Sequence, residues 1–208
     1  ELAVEVFHEQ AQGLKEGGVD LLWLETISAP EEFKAAAEAF SHIALPWVGT
    51  MSFDTAGRTM MGTSPAEMVE LISSLPNKPI AFGANCGTGA PDLLRTVQDF
   101  AKSSPNSILI AKGNAGIPKY VDGHILYDGT PELMAKYAVM ARNSGARMIG
   151  GCCGTKPEHL RSMRAALESE VIGTVPSLQQ VELHIGRFSS QIRKEIGEQK
   201  SKRRRRRG

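Results

Sequence analysis

Three cysteines are the residues whose placement implies chemistry. Two of them are adjacent, in Ala146-Arg147-Met148-Ile149-Gly150-Gly151-Cys152-Cys153-Gly154-Thr155, an apolar run of strand length that climbs to two glycines, delivers both sulfurs and breaks at a third glycine. Lys156-Pro157-Glu158 then opens a helix. The remaining one, Cys86, holds an equivalent place: Pro79-Ile80-Ala81-Phe82-Gly83-Ala84-Asn85-Cys86-Gly87 is again an apolar run ending in Cys and Gly, with a helical stretch from Ala90 to Lys102 behind it. If both strands belong to one parallel barrel, all three thiols converge on one rim. Three thiolates leave one position of a tetrahedral zinc site open, and an open position separates a catalytic site from a structural one.

The elements that must position these sulfurs repeat a single unit. Leu2 to Glu16 has apolar residues at Leu2, Val6, Ala11 and Leu14, a helical period stopped by Gly17-Gly18. Val19 to Glu25 reads as a buried strand closing on Glu25-Thr26. Ala29-Pro30-Glu31-Glu32 starts a helix with Phe33, Ala36, Ala37 and Phe40 on one face. Pro46 to Phe53 is the next strand, and Ser64-Pro65-Ala66-Glu67 is a helix opening in which Ser64 caps, Pro65 takes the first turn and Glu67 completes a capping box. Ile80 to Cys86 and Ser107 to Lys112 are further strands; a long loop is expected from Gly113 to Gly129. Thr130-Pro131-Glu132-Leu133 opens the helix before the last strand, Arg147 to Cys153, and a helix from Pro157 to about Glu168 closes the pattern.

Strands alternating with helices of this length mean parallel βα units, and near-continuous apolar strands mean that both faces of the sheet are covered. No Gly-x-Gly-x-x-Gly follows the first strand, which counts against a dinucleotide-binding open sheet. Polar or reactive residues close strand after strand (Glu25, Asp54, Cys86, Asn114, Cys152, Cys153), as expected for a site on the C-terminal rim of a barrel. The expected fold is therefore α/β, a (β/α)8 TIM barrel. It is represented by about five βα units over residues 1–168, with about three N-terminal units outside the chain and an open edge on its first strand. Residues 169–208 are expected to be a linker and a disordered basic tail.

Hydrophobic content of 41% and charged content of 23% are ordinary for a globular domain of 208 residues. No run approaches the ~18 apolar residues of a membrane span, the first residues do not read as a signal peptide, and an odd cysteine count argues against a secreted disulfide framework; the expected location is cytoplasmic. The formal charge of +1 conceals an asymmetry. Ten of the 24 Lys and Arg stand at or beyond Arg187 against two of the 23 acidic residues, so residues 1–186 carry 14 basic and 21 acidic side chains. An arginine run such as Arg203 to Arg207 can hold nucleic acid through phosphate contacts. With an acidic folded region beside it, it is read here as a solvated extension.

Asn85-Cys86 after a buried strand, with Gly150-Gly151-Cys152-Cys153-Gly154-Thr155 and Pro157-Glu158-His159 beyond, closely resembles the homocysteine S-methyltransferase family. Leu24-Glu25-Thr26, Gly57-Arg58-Thr59, Gly113-Asn114-Ala115-Gly116 and Tyr127-Asp128-Gly129-Thr130-Pro131-Glu132 are similar to segments of that family, and the likeness covers residues 1 to about 168. The resemblance implies a zinc ion held by Cys86, Cys152 and Cys153. It also implies a methyl transfer (EC 2.1.1 class) to the zinc-bound thiolate of homocysteine, yielding methionine. Coordination would deprotonate a thiol that is otherwise mostly protonated at pH 7, and glycines at 150, 151 and 154 would let the vicinal cysteines face one ion.

By the same resemblance Glu25 pairs with the α-amino group of homocysteine. Asn85 and Asn114 are further candidate substrate-binding residues, Asn85 acting through the loop of Cys86. His159 is read as either a capping or surface residue or a partner behind the ligands. Betaine is the preferred methyl donor. S-methylmethionine and methylcobalamin, the latter with the chain as one subunit of a split methionine synthase, are the alternatives, and homo-oligomerisation stays open. The family's N-terminal Asp-Gly-Gly segment has no counterpart here, so the chain alone is expected not to be an active monomer. Two other classes compete. A redox protein with a vicinal Cys152-Cys153 disulfide leaves Cys86 without a purpose, and a nucleic-acid binder led by the arginine run lacks a basic face.

Overall fold

The structure is a computed structural model and describes residues 1–54, 56–116 and 118–189. Helix α1 (Leu2–Glu16) precedes five parallel strands, β1 (Leu22–Ile27), β2 (Trp47–Met51), β3 (Ala81–Cys86), β4 (Leu109–Gly113) and β7 (Ala146–Gly151). They alternate with α2 (Pro30–Ser41), α3 (Pro65–Ser74), α4 (Ala90–Ser103), α5 (Pro131–Asn143) and α6 (Pro157–Ser169). Each strand pairs with the next in the sheet order β1-β2-β3-β4-β7. A doubly wound sheet would reverse its order at a switch point. Here the order never reverses, and right-handed crossovers then put every helix on one face, as in the wall of a barrel. Among the described residues, β1 and β7 have no strand partner on their outer edges.

Local sequence explains the helix starts. Pro occupies the first turn of α2, α3, α4, α5 and α6, where its missing N–H costs nothing, and Ser64 and Glu67 form the reciprocal capping box at α3. The main core lies between the sheet and the helices. Phe33 and Phe40 of α2 pack on Trp47 with ring centroids 5.6 and 5.4 Å away, and Phe100 of α4 meets Phe53 and Phe82 at 5.5 and 5.7 Å. On the opposite face Val48, Ala81 and Ile110 form a small separate cluster with Leu21 and Met148. This second cluster marks the barrel interior.

Three expectations change. The stretch from Gly113 to Gly129 is not only loop: β5 (Pro118–Val121) and β6 (His124–Tyr127) form an antiparallel hairpin. Its turn is Asp122-Gly123, both at positive φ (49° and 81°), the pairing that matches hairpin twist. In α1, Leu2, Val6 and Leu14 are exposed; Ala11 is buried, and Val4 and Phe7 turn to the core instead. Finally, residues 169–189 are not a free linker. Helix α7 (Leu178–His184) buries Val181, followed by buried Ile185, and Gln98 Nε2 donates to Pro176 O at 2.9 Å. Ser189 N–H donates to Asp92 Oδ2 at 2.9 Å, and the Arg95 guanidinium stacks 5.1 Å over Phe188, so this segment straps α4 from outside. The Arg203 to Arg207 run lies outside the described residues. No described helix is long and apolar enough to cross a membrane.

Candidate metal centre

The carboxyl ends of β3, β4 and β7 build the site together. Cys86 is the last residue of β3 and sits at φ 59°, a left-handed conformation that a non-glycine side chain holds only under tertiary constraint. Beyond β7, the backbone of both other cysteines is bound to the end of β4. Cys152 N–H donates to Gly113 O at 2.8 Å, Cys153 N–H to Asn114 Oδ1 at 3.1 Å, and Ala115 N–H to Cys153 O at 2.9 Å. These bonds fix where the two sulfurs point.

The Sγ atoms of Cys86, Cys152 and Cys153 all lie within 4.8 Å of one another, and those of Cys86 and Cys153 are 3.8 Å apart. Sulfurs bound tetrahedrally at about 2.3 Å from one ion would stand about 3.8 Å apart. The triangle is therefore within a small contraction of zinc geometry, and an all-thiol donor set suits that metal. Burial pushes the Cys86 thiol up to about 11; a hydrogen bond from the Asn114 side chain opposes the rise, and the thiols of Cys152 and Cys153 add to it. Electrostatically, the cluster calls for a cation.

Asn85 is fully buried and its amide ties β3 to β1 and β2 and reaches the turn after β7. Its Oδ1 accepts from Thr26 N–H at 3.0 Å and from Thr50 Oγ1 at 2.7 Å, while Nδ2 donates to Thr26 Oγ1 at 2.7 Å and lies 3.8 Å from Cys152 Sγ. Thr26 is itself left-handed (φ 63°), so this amide holds a second strained strand end. Asn114 is buried too: Nδ2 donates to Gly87 O at 3.0 Å, and with the Cys153 contact it ties the loop after β3 to the turn after β7. Both asparagines stand as struts of the thiol loops. His159 is a cap: Nδ1 accepts from Lys156 N–H at 2.8 Å, which leaves the proton on Nε2 to reach Gly129 O at 3.0 Å.

Glu25 is exposed at the end of β1 and is paired with the Lys112 ammonium of β4, which also stands 4.8 Å from the Trp23 ring centroid. Reading the sequence as strands overlooks Lys112, although a lysine closing the apolar run Ile108-Leu109-Ile110-Ala111 is itself a signal. Tyr127 is also missed as a site residue: its hydroxyl neighbours Cys153, and its ring packs on Gly154. Gly154 lies at φ 76°, and a Cβ there would come 2.3 Å from Tyr127 Cγ. Gly154→Ala is expected to cost about 2 kcal/mol from the backbone alone, with the ring clash in addition. A lowered urea midpoint in the metal-free chain would show it.

The features assembled here define a class, an α/β barrel wall with a cluster of three thiols at its strand ends that could hold a metal ion. The family model for homocysteine S-methyltransferase matches residues 1–167, and the chain belongs to that family. Among solved structures it is similar to the homocysteine methyltransferase MmuM from Escherichia coli. The apo form superimposes with a TM-score of 0.63 at 24% identity, covering 78% of this chain and 57% of that one. For the oxidized form the TM-score is 0.64, again at 24% identity, with coverage of 78% and 52%. For the metallated form the values are 0.63, 24%, 78% and 51%. This chain thus spans about half the length of those it matches, and the likeness is one of fold.

Proposed function

We propose that the chain forms the thiol-activating part of a zinc-dependent homocysteine S-methyltransferase, with betaine as methyl donor. The convergence of three sulfurs from two distant segments on one rim carries the reading, because a vicinal pair alone would not require Cys86. Cys86, Cys152 and Cys153 would hold the ion, leaving one position for a fourth sulfur. A zinc ion there supplies the acidity that makes a bound thiol a thiolate at neutral pH.

The protein's own residues do the rest. Asn114 and the backbone of β4 fix the ligand loops, and Asn85 stabilises Cys152 and the left-handed end of β1. Glu25 receives the α-amino group of homocysteine through a charge-assisted bond. The substrate sulfur then displaces the amine of betaine at a methyl carbon: an S–C bond forms, a C–N bond breaks, and the electron pair leaves on dimethylglycine. Membership of the homocysteine S-methyltransferase family supports homocysteine as acceptor, while betaine is the finer part of the proposal.

The test has two stages. Cobalt substituted for zinc should give thiolate-to-metal absorption that intensifies when homocysteine is added; no change on adding homocysteine would overturn the acceptor. Labelled betaine, S-methylmethionine and methylcobalamin offered in parallel then identify the donor. Transfer from either of the other two without transfer from betaine would overturn that choice.

A further inference from the structure

Each of the three sulfurs has its own hydrogen-bonding side chain, and all three of those side chains are neutral. Asn85 Nδ2 lies 3.8 Å from Cys152 Sγ, and the Asn114 side chain donates to the Cys86 thiol. Cys153, the most exposed of the three, is met by the Tyr127 hydroxyl. The two asparagines are also tied to strand ends and loops by other bonds. Tyr127 has a different setting: it closes the β5–β6 hairpin, paired with Pro118, and reaches its sulfur from outside the parallel sheet. Glycines bring it there. A Cβ at Gly154 would lie 2.3 Å from Tyr127 Cγ, and one at Gly116 would lie 2.4 Å from Asp128 Oδ1, so a side chain at either place would push the base of the hairpin away. Gly129 N–H donates to Ala115 O at 2.9 Å and Gly129 O accepts from His159 Nε2 at 3.0 Å, which pins the turn that follows. The ring is thus placed by packing and by backbone bonds that do not involve its hydroxyl.

We propose that Tyr127 is a positioning residue of the metal site, its phenol O–H donating to the sulfur of Cys153 and drawing charge off it when the three thiolates hold zinc. This rests on the three cysteines being the zinc ligands. A dication held by three thiolates already carries one excess negative charge, and the thiolate of a substrate would bring a second. Hydrogen bonds to an ionised acceptor are roughly twice as strong as those between neutral groups, so donors aimed at the sulfurs are the natural means of spreading that charge. Asn85 and Asn114 supply them at the two less exposed sulfurs, and Tyr127 supplies one at the third, where mobile water would otherwise serve. A phenol is more acidic than an amide, which makes it the strongest donor of the three. Charge is also shared through the ion. What Tyr127 draws from Cys153 is therefore lost in part by every other ligand, the substrate sulfur included. Tyr127 thereby sets how electron-rich the reacting sulfur is without being a ligand itself.

Cobalt in place of zinc reads the charge on the sulfurs, because thiolate-to-metal charge transfer falls in energy as the sulfur becomes more electron-rich. In the full chain at saturating cobalt, Tyr127→Phe should move that band to longer wavelength with the metal content unchanged. The urea midpoint of the metal-free chain should stay close to its original value, since the ring remains on Gly154. Zinc affinity, read by competition with a chromophoric chelator, should fall by about 10- to 100-fold, the usual cost of losing an outer partner of a ligand. Exchange of the chain's tyrosines for 3-fluorotyrosine, a stronger donor, should move the band to shorter wavelength in the unaltered chain and leave it in place in Tyr127→Phe. The fluorinated chain also carries the test if the phenylalanine variant fails to fold. A band that stays in place, or that moves the opposite way in either experiment, would overturn the role of Tyr127 and leave the ligand set intact. Absence of any thiolate-to-cobalt absorption in the unaltered chain would overturn the ligand set and the role of Tyr127 with it.

Discussion

Cys86→Ser is expected to cost the chain its metal. The unaltered chain should retain about one zinc per molecule through gel filtration, and the variant close to none. A serine hydroxyl stays protonated where a thiol ionises, and it is a harder donor than the two sulfurs left behind. Removing even an outer partner of a ligand lowers metal affinity by about 10- to 100-fold. Losing a ligand should exceed about 100-fold, read by competition with a chromophoric chelator. The pH dependence carries a signature of the same residue. Because the Cys86 thiol titrates near 11, it must release a proton to bind at any lower pH. Through this thiol alone, affinity should rise about tenfold per pH unit across the neutral range. Cys86→Ser should flatten the slope by that amount, and unaltered zinc retention in the variant would remove Cys86 from the ligand set.

The second large effect is expected at Asn85, which touches no solvent. Asn85→Ala removes the acceptor of Thr26 N–H and Thr50 Oγ1 and the donor to Thr26 Oγ1, in a buried place that the shorter side chain cannot refill. Net hydrogen bonds are worth about 1 kcal/mol each, and stranding a buried partner costs about 1–3 kcal/mol. The expected loss is about 3 kcal/mol, a drop of about 1–2 M in the urea midpoint. Asn85→Asp separates two parts of the effect. It keeps the acceptor but sets a negative charge beside Cys152 and loses the donor, so it should bind zinc normally only if the Nδ2 contact is unimportant. A midpoint unchanged in Asn85→Ala would show that the amide does not hold the strand ends.

What was legible in the sequence was local or strongly patterned. Proline at the first turn with acidic residues behind it located most helix starts, and Ser64 with Glu67 formed the reciprocal cap the spacing implied. The apolar strands ending in Cys placed all three sulfurs on one rim because a parallel sheet sends every carboxyl end the same way. Less local features stayed hidden. The hairpin after β4 carries its signal in Asp122-Gly123, but residues 120–126 are exposed without a break and so show no alternation. Lys112 and Glu25 are 87 residues apart, and nothing in either segment announces that curvature will join them. The left-handed turns at Thr26 and Cys86 follow from tertiary bonds, not from residue preference. Strapping of α4 by residues 176–189 depends on Asp92 and Gln98, which read as ordinary polar positions until their partners are known.

That strap has a further consequence for how unevenly the molecule resists local opening. Helix α4 begins just after Cys86, and its outer side is clasped at Asp92, Arg95 and Gln98 by a segment more than 70 residues downstream. β3 beneath it is flanked by β2 and β4. Local opening of the limb that bears the first sulfur therefore requires the release of a segment anchored far along the chain. A metal held by that sulfur would sit where the molecule gives way last.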